Sequence, residues 1–226
     1  MKAVVFSFKF AVFFAMAYLT ADLSSLVLSY KIVHLNDYIT FSAASIIFPL
    51  TYIISDITTE VYGYHFAKRV IWFSFFCDLT FSLMLYFIVK IPSDSAHMQS
   101  AYHTVLGGLL RCVLAEALGV LIGAFVNAYL ISKWKLLING RLFWLRSIGS
   151  SSIGEALLLL VSVPVAFLGV VSWDDIFKLI AVAYIYKVAF AIVVSGPANI
   201  LANILKSVEN IDETNKSVVF NPFKLD

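Results

Sequence analysis

Charge is what this sequence has least of. Only 13% of its 226 residues are Asp, Glu, Lys or Arg, while 61% are hydrophobic and the mean hydropathy is +0.92. A soluble domain of this length has no interior large enough to hide so much apolar surface, and a disordered chain needs the opposite composition. Cysteine is scarce too. The two present, Cys77 and Cys112, lie in apolar segments, where they act as small hydrophobes and do not form a disulfide framework. The four histidines, His34, His65, His97 and His103, fall in predicted loops or segment ends without metal-ligand spacing, which argues against a metalloenzyme and predicts no cofactor. No polar stretch is long enough for a second domain. The formal net charge of +2 is too small and too dispersed for a nucleic-acid partner.

What remains is a set of apolar runs. Crossing a hydrocarbon core of roughly 30 Å takes about 20 helical residues. Runs near that length occur at approximately 6–29, 39–56, 69–90, 104–131, 149–171 and 176–204. The expected architecture is an all-α membrane protein, one domain of six transmembrane helices over residues 1–226, with a tail at 207–226. Ala15-Met16-Ala17 imitates a signal-peptide cleavage site, but the apolar run continues to Leu28, so an uncleaved first span is expected. Lys2, Lys9, Lys68, Arg69, Lys133, Lys135, Arg141, Arg146, Lys206, Lys216 and Lys224 fall on one side of that arrangement, against Lys31, Lys90 and Lys178 on the other. The positive-inside rule then puts both termini in the cytoplasm of a multi-pass inner-membrane protein.

Ionisable groups at membrane depth are costly and tend to face the bundle interior, where they mark a site, a relay or an ion pair. Arg111 and Glu116 lie in the fourth run, Glu155 in the fifth and Lys187 in the sixth, with Asp22 and Asp78 in the first and third. Helical spacing aligns Glu116, Gly119, Gly123 and Asn127 in a stripe of polar and small residues. Ser151 and Glu155 share a face of the fifth run, and Ser150, Ser151 and Ser152 offer hydroxyls. Asp56 and Glu60, four apart, follow an apolar segment broken by Pro49, the kind of interruption that creates binding sites in transporters. The competing reading is that Arg111, Lys187, Glu116 and Glu155 neutralise one another as structural pairs.

The run FPLTYIISDITTEVYGYHFAKRVIW, from Phe48 to Trp72, closely resembles the signature of the YhhQ family of queuosine-precursor transporters, part of a wider vitamin-uptake group. Arg111 with Gly123 and Asn127, Trp144-Leu145-Arg146 followed by Ser150-Ser151, and Tyr186-Lys187 with Pro197 resemble later family segments in the same order. Glu155 stands where relatives carry Gln or Asn, and Leu158 where many carry Asp. The resemblance implies 7-deazaguanine substrates, either the cyano and aminomethyl precursors or queuine, destined for tRNA modification. Together with depth and helical spacing, which supply Glu116, it points to Asp56, Glu60, Arg111, Glu116, Asn127, Ser150, Ser151, Glu155, Tyr186 and Lys187 as substrate-binding candidates.

The chemistry of those residue types agrees. A carboxylate accepts the two adjacent N–H donors on the pairing edge of a deazaguanine as a fork, and Glu155 or Glu116 fits that role. Arg111, Asn127 or Lys187 can donate to the neighbouring carbonyl oxygen. Tyr52, Tyr62, Phe125 and Tyr186 are candidates for stacking on a flat base. The expected mechanism is alternating access around a polar site near the midplane. A second reading is a substrate-binding subunit of an ATPase-driven uptake complex, and a third, an intramembrane enzyme, lacks a nucleophile with a base partner. Precursor preference, energy source and oligomeric state stay open, a homo-oligomer included.

Overall fold

A computed structural model describes residues 9–29, 31–34, 40–167 and 172–211, without the side chains of Ile32, His34, Thr40, Cys112, Glu116, Val120, Phe167 and Asp175. The start of the first predicted span, the end of the fifth, most of the tail and the Glu116 side chain therefore lie outside the described residues.

Long apolar runs fold as helices because every backbone polar group is then satisfied within the segment. Helix α1 is Ala11–Leu28. A small antiparallel hairpin follows, β1 (Ile32–His34) against β2 (Thr40–Ser42), then a single helical turn, α2 (Ala44–Ile47), and α3 (Pro49–Tyr62). Next come α4 (Tyr64–Ile88), α5 (Ala96–Leu106), α6 (Leu109–Leu137), α7 (Phe143–Phe167) and α8 (Trp173–Glu209). Among the described residues, α1, α4, α6, α7 and α8 supply five segments long and apolar enough to cross a membrane. This is an all-α membrane protein, with the hairpin its minor exception.

The predicted second span differs most from what is seen. Its first residues form β2, and Pro49 takes the first helical position of α3, where its missing N–H costs nothing. The helix then runs six residues past the predicted end at 56, to Tyr62. Twelve of the fourteen residues of α3 are buried. That explains its four Ser and Thr residues and its two acids: a helix surrounded by other helices has no lipid-facing side to keep apolar. It packs against α1, α4, α6, α7 and α8. Gly63, at φ 84°, ends α3 and lets α4 begin at the next residue.

The predicted fourth span also divides. Gly107 and Gly108 separate α5 from α6, so Arg111 sits in the first turn of α6 and not at mid-helix. The stripe read from this segment is the α6–α7 seam. A Cβ on Gly123 would stand 2.6 Å from the Gly154 carbonyl oxygen, one on Gly154 would stand 2.7 Å from that of Gly123, and the Tyr52 ring fills the notch between them. Two backbones approach this closely only without side chains.

Polar contacts gather six helix ends. Lys9 and Phe10 donate their backbone N–H groups to Glu209 at the end of α8, as does the Tyr62 hydroxyl at the end of α3. Glu60 of α3 meets Lys135 near the end of α6, Arg146 near the start of α7, and Lys206 of α8. Since α4 begins directly after α3, the starts of α1, α4 and α7 and the ends of α3, α6 and α8 share one end of the bundle.

Candidate functional site

The candidates form three separate groups. The first centres on Glu60, whose carboxylate lies 2.8 Å from Arg146 Nη1, 2.6 Å from Lys206 Nζ and 3.8 Å from Lys135 Nζ, while Lys135 also donates to the Glu60 backbone oxygen at 2.7 Å. Arg146 further donates to the carbonyls of Ile131, Gly140 and Arg141. Glu60 and Arg146 are buried, and this clamp joins four helices.

One turn earlier, Asp56 is fully buried and accepts from Asn127 Nδ2 at 2.7 Å, from Ser151 at 3.0 Å and from the Ser147 hydroxyl. Asn127 and Ser151 are thus brought to Asp56, and Ser147 joins them although sequence reasoning passed over it. Ser150, also buried, turns its hydroxyl toward its own helix, at the Ser147 carbonyl. These acceptors and donors satisfy one another within the protein.

The third group lies deeper. Glu155 is about 18 Å along α7 from its start and Lys187 about 21 Å along α8, at the rise of an α-helix. Their side chains, each 5% exposed, form a 2.6 Å ion pair. The pair leaves acceptor capacity over: Glu155 Oε1 and the nearby Tyr52 hydroxyl have no hydrogen-bond partner among the described residues. Both line a small pocket that Lys187 shares with a larger cavity.

That cavity, about 150 Å3, opens among α1, α4, α6, α7 and α8 beneath the hairpin. Arg111 reaches it from α6, with Nη2 3.3 Å from the Ala166 carbonyl oxygen. Phe41, Phe48 and Phe75 supply aromatic wall, and the Lys187 ammonium sits 4.4 Å from the centre of the Phe48 ring. Tyr186, more than a third exposed, stacks on Phe41 at 6.5 Å outside the cavity lining. Tyr62 is engaged by Glu209 and Phe125 packs against Trp72, so of the four stacking candidates only Tyr52 borders either pocket.

Asp22 and Asp78 also line the cavity, from the neighbouring helices α1 and α4. Reading the sequence put both at membrane depth but did not bring them together. A signal was present: Tyr18, Asp22, Ser25 and Ser29 recur at intervals of four, three and four, and so do Ile71, Phe75, Asp78 and Ser82. Each set marks one face of a helix. That the two faces meet is a matter of packing.

Comparisons with known proteins fit this picture. The family model described as "Putative vitamin uptake transporter" matches residues 42–202. A protein of Bacillus subtilis (strain 168) named "Probable queuosine precursor transporter" is 24% identical over 157 residues, covering 69% of each chain. No solved structure matches.

Proposed function

We propose, from the premise that this chain belongs to the vitamin uptake transporter family, that it imports queuosine precursors of the 7-deazaguanine class across a bacterial inner membrane for tRNA modification. The observation that carries the reading is a cavity bounded by membrane-length helices, whose mostly apolar and aromatic walls carry a few cationic, acidic and hydroxyl groups. A flat heterocycle rimmed by donors and acceptors needs that combination.

In this reading the whole chain is one domain with six crossings, α2 and α3 together making the second. The shared end of the bundle supports that count, because α1, α4 and α7 leave it and α3, α6 and α8 return to it. Lys68, Arg69, Lys133, Lys135, Arg141, Arg146 and Lys206 lie at or near that end, which is therefore assigned to the cytoplasm. Glu60 and the Asp56 network brace the helices there. Substrate contact falls to the cavity and its side pocket: Glu155 Oε1 and the Tyr52 hydroxyl take the pairing edge, Lys187 and Arg111 donate to the carbonyl oxygen, and Phe48 or Phe75 stacks on the ring. Alternating access opens the cavity first toward the hairpin side, then toward the braced end.

The test is complementation. Cells unable to make queuosine receive this chain and one precursor at a time, and tRNA modification is assayed. At least one precursor restores it, and does so in a host lacking any ATPase coupling module. Failure of all of them, with the protein present in the membrane, refutes the substrate class.

A further inference from the structure

The cavity holds more acid than a neutral base calls for. Asp22 on α1 is 7% exposed and shares the cavity wall with Asp78 on the neighbouring α4. Two carboxyl groups side by side in one buried site hold a proton between them, because two adjacent negative charges there are too costly, so the pair carries one negative charge. Among the described residues no cation closes on Asp22: Lys187 is held by Glu155 and Arg111 by a backbone carbonyl. A second, independent feature lies one turn along α1. The Ser25 hydroxyl is 3% exposed, lines the same cavity and has no hydrogen-bond partner among the described residues. A protonated primary amine carries three donors, which two carboxylates and one hydroxyl would satisfy.

We propose that the Asp22–Asp78 pair, with Ser25, is a subsite for the alkylammonium group of an amine-bearing 7-deazaguanine, which binds in exchange for the proton the two carboxyls share. The proposal rests on the cavity being the substrate site. The exchange balances. The substrate arrives as R–NH3+, one H+ leaves the carboxyl pair, and no covalent bond of the substrate changes. The site carries one net negative charge before and after, so binding adds no further buried charge. Tyr18 on α1, Tyr52 on α3, Arg111 on α6, Glu155 on α7 and Lys187 on α8 are the other titratable and charged groups near the pair among the described residues. A neutral 7-cyano substituent has nothing to offer two acids and a hydroxyl except one weak acceptor, so the subsite discriminates by charge.

Titration calorimetry on the purified full-length protein, at neutral pH in two buffers of different ionisation enthalpy, counts protons released on binding. The probes are 7-aminomethyl-7-deazaguanine and 7-cyano-7-deazaguanine. The expected result is roughly tenfold or tighter binding of the amine, with about one proton released, and none released by the cyano compound. Asp22→Asn is expected to bring the two affinities to within about twofold and abolish proton release. Asp78→Asn gives the same readout should the first variant fail to fold. Equal wild-type affinities, amine binding without proton release, equal release by both probes, or no binding of the amine overturns the subsite. Uptake into proteoliposomes separates the two claims. Proton-linked amine binding without uptake removes the transport reading and leaves the subsite, whereas uptake of the cyano compound without amine binding does the reverse.

Discussion

Replacing Glu60 by glutamine asks whether this acid holds the protein together or holds its cargo. Glutamine keeps the shape and one acceptor oxygen, so a hydrogen bond to Arg146 or Lys206 survives. The neutral amide cannot offset three cations, and two of these, Arg146 and Lys135, have side chains only 2% and 4% exposed. Removing one partner of a buried ion pair costs about 3–5 kcal/mol. Lys206, 18% exposed, can withdraw toward solvent, which favours the lower end of that range. For a chain of this size each kcal/mol moves Tm by about 2–4 °C, so the expected fall is roughly 6–20 °C. Tryptophan-fluorescence melting of detergent-purified protein reads it directly. The double variant Glu60→Met/Arg146→Met should recover part of the loss, because it removes a charge together with its counterpart. A Glu60→Gln protein that melts within about 2 °C of the parent yet takes up no precursor would refute this reasoning and make Glu60 a substrate ligand.

The α6–α7 seam makes Gly154→Ala and Gly123→Ala destabilising by about 1–3 kcal/mol each, since the new methyl meets a carbonyl oxygen at 2.7 and 2.6 Å. Gly196→Ala, with nothing within 4 Å, should melt no lower than the parent, and equal behaviour of all three would count against the seam. Asp56→Ala strands the Asn127 amide and should cost about 1–3 kcal/mol more than Asp56→Asn, which keeps an acceptor for it; the difference is read from paired melts. Lys187→Met leaves the buried Glu155 carboxylate unpaired and should lower Tm, Glu155→Gln added to it should restore much of the loss, and uptake should stay absent in both. Uptake retained in Lys187→Met would remove this ion pair from the substrate site.

The run of apolar segments was legible in the sequence because lipid imposes its constraint residue by residue, and five of the six segments are recovered as long helices, with ends shifted by a few residues. The second was the hardest to bound. Its hydropathy is low because α3 is enclosed by protein, and only the surrounding helices reveal that. The glycine stripe was legible as a packing face, though not the helix it packs on. The break at Gly107 and Gly108, which leaves Arg111 in the first turn of α6, was not legible because nothing in hydropathy marks it.

For the polar residues the division is sharper. Sequence by itself determined which charges are too costly to face lipid, and helical spacing set which of them share a face. Tertiary structure decided their partners: Glu60 with three cations from three other helices, Asp56 with an amide and two hydroxyls, Glu155 with Lys187, and Asp22 with Asp78. Each pairing joins residues from different helices, from 32 to 146 positions apart along the chain. No local pattern specifies such contacts, because side chains so far apart in the chain meet only once the helices have packed.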